Sequence, residues 1–144
     1  MRLWHQSLIH YLPRQQLLGQ HRECCALREK GWGKKHSVVD YVFKYNLAHL
    51  YAYHALVMHE MLERSYKVDK LWYSALYRGK MLDCCSVDKL GKKPDLNKRK
   101  TVYPEHDDYY LKECLDNLET KGAELENGES IAHMKLMLML EKGI

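Results

Sequence analysis

The spacing of apolar side chains along the chain predicts helices. In the clearest stretch, residues 47 to 62, apolar and aromatic side chains recur every three or four positions, which is the period of one helix face. The members of this stripe are Leu47, Leu50, Tyr51, His54, Met58, Met61 and Leu62. The pattern predicts the core helix of an all-α fold.

A second amphipathic helix is predicted from Pro13 to about Lys30, because proline suits the first position of a helix and Gly31 suits the position after its end. The predicted apolar stripe consists of Leu17, Cys24, Cys25 and the aliphatic stem of Arg28. The predicted solvated face carries Arg14, Gln16, Gln20, Arg22, Glu23 and Glu29.

Three further helices are predicted towards the C-terminal end. Asp69 can cap a helix over residues 69 to 82, and Pro104 can open one that closes at Lys121-Gly122. The last, Ser130 to Lys142, is apolar on most sides. It is therefore either deeply buried or packs on a partner, and a second copy of the chain is one such partner.

Two segments are predicted to lack helix. Residues 37 to 43 are rich in β-branched side chains, but no second strand pairs with them convincingly, so we interpret them as an extended arm. Residues 86 to 103 form a long basic loop, in which Gly91 and Pro94 exclude a continuous helix.

Composition narrows the class of protein. A chain of 144 residues that is 46% hydrophobic suits one domain, residues 1–144. The five cysteines are an odd number, four of them in adjacent pairs that do not readily close a disulfide, which favours a reducing compartment. No apolar run reaches membrane-spanning length, and the start lacks a signal-peptide core, so a cytoplasmic location without membrane attachment is expected.

No metal or cofactor is expected. His49, His54 and His59 are five residues apart, which turns successive side chains about 140° around a helix. The paired cysteines lack the two-residue spacer of zinc motifs, and glycine-rich phosphate loops are absent from the sequence.

A resemblance to a known family starts at the N-terminal end. Leu8, Leu12, Gln15, Leu17 and above all Arg22-Glu23 align without a gap, and Tyr103-Pro104-Glu105-His106 adds a weaker match. On these residues the chain resembles the pyrimidine-dimer DNA glycosylases with AP-lyase activity (phage endonuclease V-like), in a bacterial branch. The resemblance implies a single compact helical domain that acts on damaged double-stranded DNA.

The resemblance also implies catalytic roles for Met1 and Glu23. An N-terminal amine has a pKa of about 7.7 to 8.0, so at pH 7 roughly a tenth of it is neutral and nucleophilic. The amine of Met1 is expected to attack the sugar, because Arg at position 2 disfavours removal of the initiator Met. Glu23 is expected to act as the acid/base carboxylate for the Schiff-base chemistry that follows.

Basic residues are expected to contact the DNA. The net charge is +4, which suits a polyanionic partner. The candidate DNA-binding residues are Arg2, Arg14, His21, Arg22, Arg28, Lys34, Lys35, Lys92, Lys93, Lys98, Arg99 and Lys100.

Departures from the family pattern leave two alternatives open. Gln16 stands where the family has a His, Ala26 stands where it has an Arg, and the family's aromatic and basic C-terminal tail is missing. Arg28 and His21 are candidates to replace the lost charges. One alternative is a non-enzymatic basic helical module that binds nucleic acid or a protein partner. The other is the same fold with a different lyase or nuclease chemistry.

Overall fold

Two long helices lie at the centre of the fold. The computed structural model describes residues 2–30, 40–96 and 101–144. The helices in these ranges are α1 (Arg14–Lys30), α2 (Leu47–Glu63), α3 (Val87–Leu90), α4 (Asp108–Thr120) and α5 (Ile131–Lys142). Helix α1 packs on α2, and α4 packs on α5. The described residues contain no strand and share one apolar core, so the predicted compact all-α fold is confirmed.

Helix α2 follows its apolar pattern. The side chain of Asn46 caps its start by accepting a hydrogen bond from the His49 amide at 3.2 Å. Leu50 and Tyr53 are fully buried, and Met61 nearly so, which confirms the predicted core helix. Leu62 was predicted to lie on the buried face but is 47% exposed.

Helix α1 has the predicted bounds but a wider buried face than predicted. Leu17 and Cys24 are buried as expected. Gln20 and Glu23 were predicted to be solvated but are 2% and 8% exposed, because the N-terminal segment of the chain lies across this side of the helix. These two polar side chains face the candidate site described below.

The predicted helix over residues 69 to 82 is wrong. Asp69 does cap a start, by accepting a hydrogen bond from the Leu71 amide at 3.0 Å, but only a short 3₁₀ turn at Lys70–Tyr73 follows. The reason is the buried guanidinium of Arg28, which takes carbonyl oxygens that a continuing helix would have used for itself. Those oxygens belong to Trp72, Ser74 and Tyr77.

Helix α4 begins at Asp108, four residues after the predicted start at Pro104. The ring of His106 is buried in the intervening turn, where it accepts a hydrogen bond from the Gln6 amide at 3.0 Å and contacts the Tyr41 hydroxyl at 2.8 Å. These contacts hold the turn in a non-helical path. The predicted end near Lys121-Gly122 is confirmed.

The predicted extended arm is also wrong where the structure describes it, since Asp40–Lys44 forms a 3₁₀ turn. Residues 31–39 lie outside the described residues. The predicted basic loop contains only the four-residue helix α3 in its described part.

Helix α5 has the predicted start, capped by Ser130, and the predicted end. Only Leu138 among its side chains is buried, so the helix is not deeply buried. Its outward apolar side chains are Leu136, Met137, Met139 and Leu140. In the described part of the chain, none of the helices combines the length and the apolar character needed to cross a bilayer.

Candidate active site

The N-terminal segment is fixed against α1 by side chains that bond to its main chain. Gln20 accepts a hydrogen bond from the Trp4 amide at 2.6 Å and donates one to the Arg2 carbonyl at 3.1 Å. From α2, the Tyr53 hydroxyl donates to the Trp4 carbonyl, and from α4 the Tyr110 hydroxyl donates to the Leu3 carbonyl. The backbone of residues 2 to 4 therefore has a defined path.

A cleft of about 370 Å³ opens between this segment, α1 and α4. Glu23 and Gln16 are seven residues apart and Gln20 lies between them, so helical periodicity places all three on the cleft side of α1. Within the described part of the chain, the lining consists of Arg2, Trp4, Gln15, Gln16, Gly19, Gln20, Arg22, Glu23, Asn117 and Lys121.

The cleft suits an anion. The described residues of its lining include three cations, Arg2, Arg22 and Lys121, and one carboxylate, Glu23. The charged groups of Arg2 and Lys121 both lie over the indole of Trp4, at 5.7 and 5.4 Å from the ring centre. The buried indole therefore helps to hold two positive charges at the edge of the cleft.

A larger cleft of about 810 Å³ is less suited to DNA. It lies against residues 5 to 10, and among the described residues its lining includes the carboxylates of Glu60, Asp107 and Asp108 but neither lysine nor arginine. Such a lining repels phosphate. Charge therefore favours the smaller cleft around Glu23.

His21 and Arg28 do not reach the cleft. His21 Nδ1 lies 2.9 Å from His54 Nε2, on the side of α1 that faces away from Glu23. The Arg28 side chain is 3% exposed, and its guanidinium is occupied by three carbonyl oxygens and the His54 ring. Burial also raises the pKa of the nearby Cys25 thiol to about 12, so in the absence of a bound ion it is protonated at neutral pH.

The remaining described candidates lie outside the cleft lining. Arg14 is exposed, with its guanidinium 5.0 Å from the ring centre of Tyr66. Lys92 and Lys93 are exposed, and the Lys92 carbonyl accepts a hydrogen bond from the Asn46 side chain. Outside the described residues lie Met1, Lys34, Lys35, Lys98, Arg99 and Lys100.

The structure adds residues that the sequence analysis missed. Lys121 was interpreted only as a helix end, and Asn117 was not singled out. They lie one turn apart on α4, about a hundred residues from Glu23 in sequence, so no local spacing links them to it. The Asn117 Oδ1 atom is buried and has no hydrogen-bond partner among the described residues, which leaves an acceptor at the cleft.

Comparison with known proteins identifies the family of the chain. A family model described as pyrimidine dimer DNA glycosylase matches residues 1–74, just over half of the 144 residues, and that span includes the N-terminal segment, α1 and α2. No curated protein and no solved structure shows significant similarity to the chain. On the family match, the resemblance seen in the sequence is confirmed, and the chain belongs to the pyrimidine dimer DNA glycosylase family.

Proposed function

We propose that the cleft around Glu23 receives a damaged nucleotide from double-stranded DNA and cleaves its glycosidic bond. One observation carries the proposal: Glu23 and Arg2, the residue bonded directly to Met1, line the same cation-rich cleft. The cleft volume of about 370 Å³ is at the lower end of the range of about 300–1,000 Å³ that is usual for ligand sites. A nucleotide must leave the base stack to reach it.

The nucleophile in this proposal is the amine of Met1. Its chain neighbour Arg2 has its carbonyl held by Gln20, which is one helical turn from Glu23. The peptide bond keeps the Cα atoms of residues 1 and 2 about 3.8 Å apart. The fixed path of residues 2 to 4 thus holds the residue next to Met1 at the cleft that contains Glu23.

The chemistry uses these two groups in sequence. The neutral amine donates its electron pair to C1′, and the C1′–base bond breaks with its pair going to the base, which gains a proton. Loss of the amine proton and opening of the C1′–O4′ bond give a Schiff base. In this scheme Glu23 takes up the amine proton, donates it to O4′ for ring opening, and then removes a C2′ proton, so that the 3′ phosphate leaves by β-elimination.

The cations around the cleft would hold the DNA backbone in this scheme. Arg22 is exposed beside Glu23 and is free to reach a phosphate, while Lys121 approaches from α4. Glu23 is only 8% exposed, and a carboxylate shielded from water interacts more strongly with charge that develops at the sugar.

Replacing Glu23 with Gln tests the proposal. We expect Glu23→Gln to lower strand cleavage on dimer-containing duplex by at least about a hundredfold while binding changes little, because acid/base groups contribute about 10²–10⁴. Glu63→Gln, an exposed carboxylate on α2, is the matched control and should cleave normally. Equal losses of binding and cleavage in Glu23→Gln would instead indicate a structural carboxylate.

A second candidate function is that of a binding module with a protein partner. The observation that favours it is the exposed apolar side of α5, because a helix of this kind commonly packs on another chain. A second copy is the partner we propose, and it is compatible with catalysis at the cleft. We further propose that residues 1–144 act as one domain in the cytoplasm, where the five free thiols would stay reduced.

A further inference from the structure

A cluster of metal-ligand side chains lies on the side of α1 that faces away from Glu23. His21 and Cys25 are one helical turn apart on α1, and His54 of α2 faces them. The His21 Nδ1 and His54 Nε2 atoms are 2.9 Å apart. The Cys25 Sγ atom lies 3.9 Å from the same His21 Nδ1 atom and 3.9 Å from His54 Nε2.

We propose that His21, Cys25 and His54 bind one Zn²⁺ ion that joins α1 to α2. Zn²⁺ bonds are about 2.0–2.1 Å long to nitrogen and about 2.3 Å long to sulfur. In a tetrahedral site these lengths place two nitrogen ligands about 3.4 Å apart, and a nitrogen and a sulfur ligand about 3.6 Å apart. The separations in the structure differ from these by no more than about half an ångström. Small side-chain movements therefore suffice to form the site.

The ligand set selects the class of metal. Imidazole nitrogen with thiolate sulfur favours zinc and its neighbours over the oxygen-seeking Ca²⁺ and Mg²⁺. The Cys25 thiol must release one proton to solvent when its sulfur binds the ion. His21 and Cys25 are half-buried, which gives the ion a path from solvent, and three protein ligands leave the fourth position for water.

The buried Arg28 guanidinium sets a condition on metal binding. In the metal-free arrangement its Nη1 lies 3.0 Å from His54 Nδ1 and donates to it, so the Nε2 proton of His54 points to His21. Coordination through Nε2 requires this proton to sit on Nδ1 instead. Arg28 must then release the ring, and it can keep its bonds to the carbonyl oxygens of Trp72, Ser74 and Tyr77.

The ion would act on the fold and not on the DNA. His21 is two residues from Glu23, which turns it about 200° around α1, so the two sites use opposite sides of the helix. A metal that ties α1 to α2 would stabilise the helix that carries Glu23. The site stands whether or not Glu23 is catalytic.

Titration of the full-length protein with Co²⁺, followed by competition with Zn²⁺, tests the site. We expect one ion per chain, a thiolate-to-cobalt charge-transfer band, and release of about one proton per ion. Cys25→Ser should abolish the band and weaken Zn²⁺ binding by at least about a hundredfold. Replacing a residue that only hydrogen-bonds to a metal ligand already lowers metal affinity about 10- to 100-fold, and Cys25 is itself a ligand in this proposal. Cys84→Ser, an exposed thiol outside the cluster, is the matched control and should bind as the wild type does.

A histidine pair completes the test. His21→Gln should also weaken Zn²⁺ binding at least about a hundredfold, whereas His59→Gln, at an exposed position on α2, should leave it unchanged. Circular dichroism of each variant establishes that it is folded. A wild type that binds no Zn²⁺ at micromolar concentration, a band that survives Cys25→Ser, or equal losses in His21→Gln and His59→Gln would overturn the proposal.

Discussion

Gln20 is the side chain that fixes the N-terminal segment, and Gln20→Leu removes its hydrogen bonds while keeping a similar volume. The Trp4 amide, which is buried, loses its acceptor, at a cost of about 1–3 kcal/mol for an unsatisfied group. The Arg2 carbonyl is only partly buried, so water can replace its lost donor and the cost is about 0.5–1.5 kcal/mol. Together we expect the free energy of unfolding to fall by about 1.5–4.5 kcal/mol.

Urea unfolding measures this loss, and amide hydrogen exchange locates it. Gln15→Leu is the control for stability, because Gln15 is exposed on the same helix and its replacement should change the free energy of unfolding by less than about 0.5 kcal/mol. Under native conditions the Trp4 amide should exchange faster in Gln20→Leu, while the amides in the middle of α2 change only with global stability. A loss below about 0.5 kcal/mol, or unchanged exchange at Trp4, would refute the assigned role of Gln20.

Three other predictions concern pH, salt and assembly. Burial, with a smaller contribution from His5, lowers the pKa of His106 from 6.5 to about 3 in the folded protein. The unfolded chain therefore binds a proton at His106 more tightly than the folded protein does. The stability that results is fully present above about pH 6.5 and is lost as the pH falls towards 3. Between pH 7 and 5 the free energy of unfolding should drop by about 2 kcal/mol from this group, and a drop in His106→Gln equal to that of the wild type would contradict it. Lys121→Gln should reduce the steepness of the plot of log affinity for DNA against log salt concentration by about 0.9. Lys112→Gln, at an exposed position on α4, is the control and should leave that slope unchanged. An unchanged slope in Lys121→Gln would show that Lys121 does not contact the DNA. If the apolar side of α5 binds a second copy, sedimentation should show a dimer that Leu140→Gln weakens, and a wild type that is monomeric at all concentrations would exclude it.

The sequence predicts correctly the helices whose apolar side chains recur with the period of a face packed on the core. The prediction is wrong where a side chain that is distant in sequence forms hydrogen bonds with the main chain. Helices α1, α2 and α5 have the predicted bounds within about two residues. The helix predicted after Asp69 is absent because Arg28, more than forty residues earlier, binds its carbonyl oxygens. Helix α4 starts late because His106 is buried against the N-terminal segment.

The same distinction applies to the two sites. Arg22 and Glu23 were found through a family resemblance that depends on adjacent residues, and the structure places both at the cleft. Lys121 reaches that cleft only through the packing of α4, so no local pattern indicated it. In the proposed metal site, His21 and Cys25 are one helical turn apart on α1, a spacing that can be read from the sequence. The third ligand, His54, comes from α2, so no local pattern links it to the other two.

Borohydride trapping of the protein on dimer-containing duplex DNA shows whether the amine of Met1 forms a Schiff base with the sugar. The reagent reduces a Schiff base to a stable amine, so the chain becomes covalently attached to the sugar at the atom that attacked it. We expect a trapped product whose peptide map places the sugar on the α-amine of Met1, and prior blocking of that amine should abolish the product. An adduct on an internal lysine such as Lys121, or strand cleavage without any trapped product, would contradict this expectation.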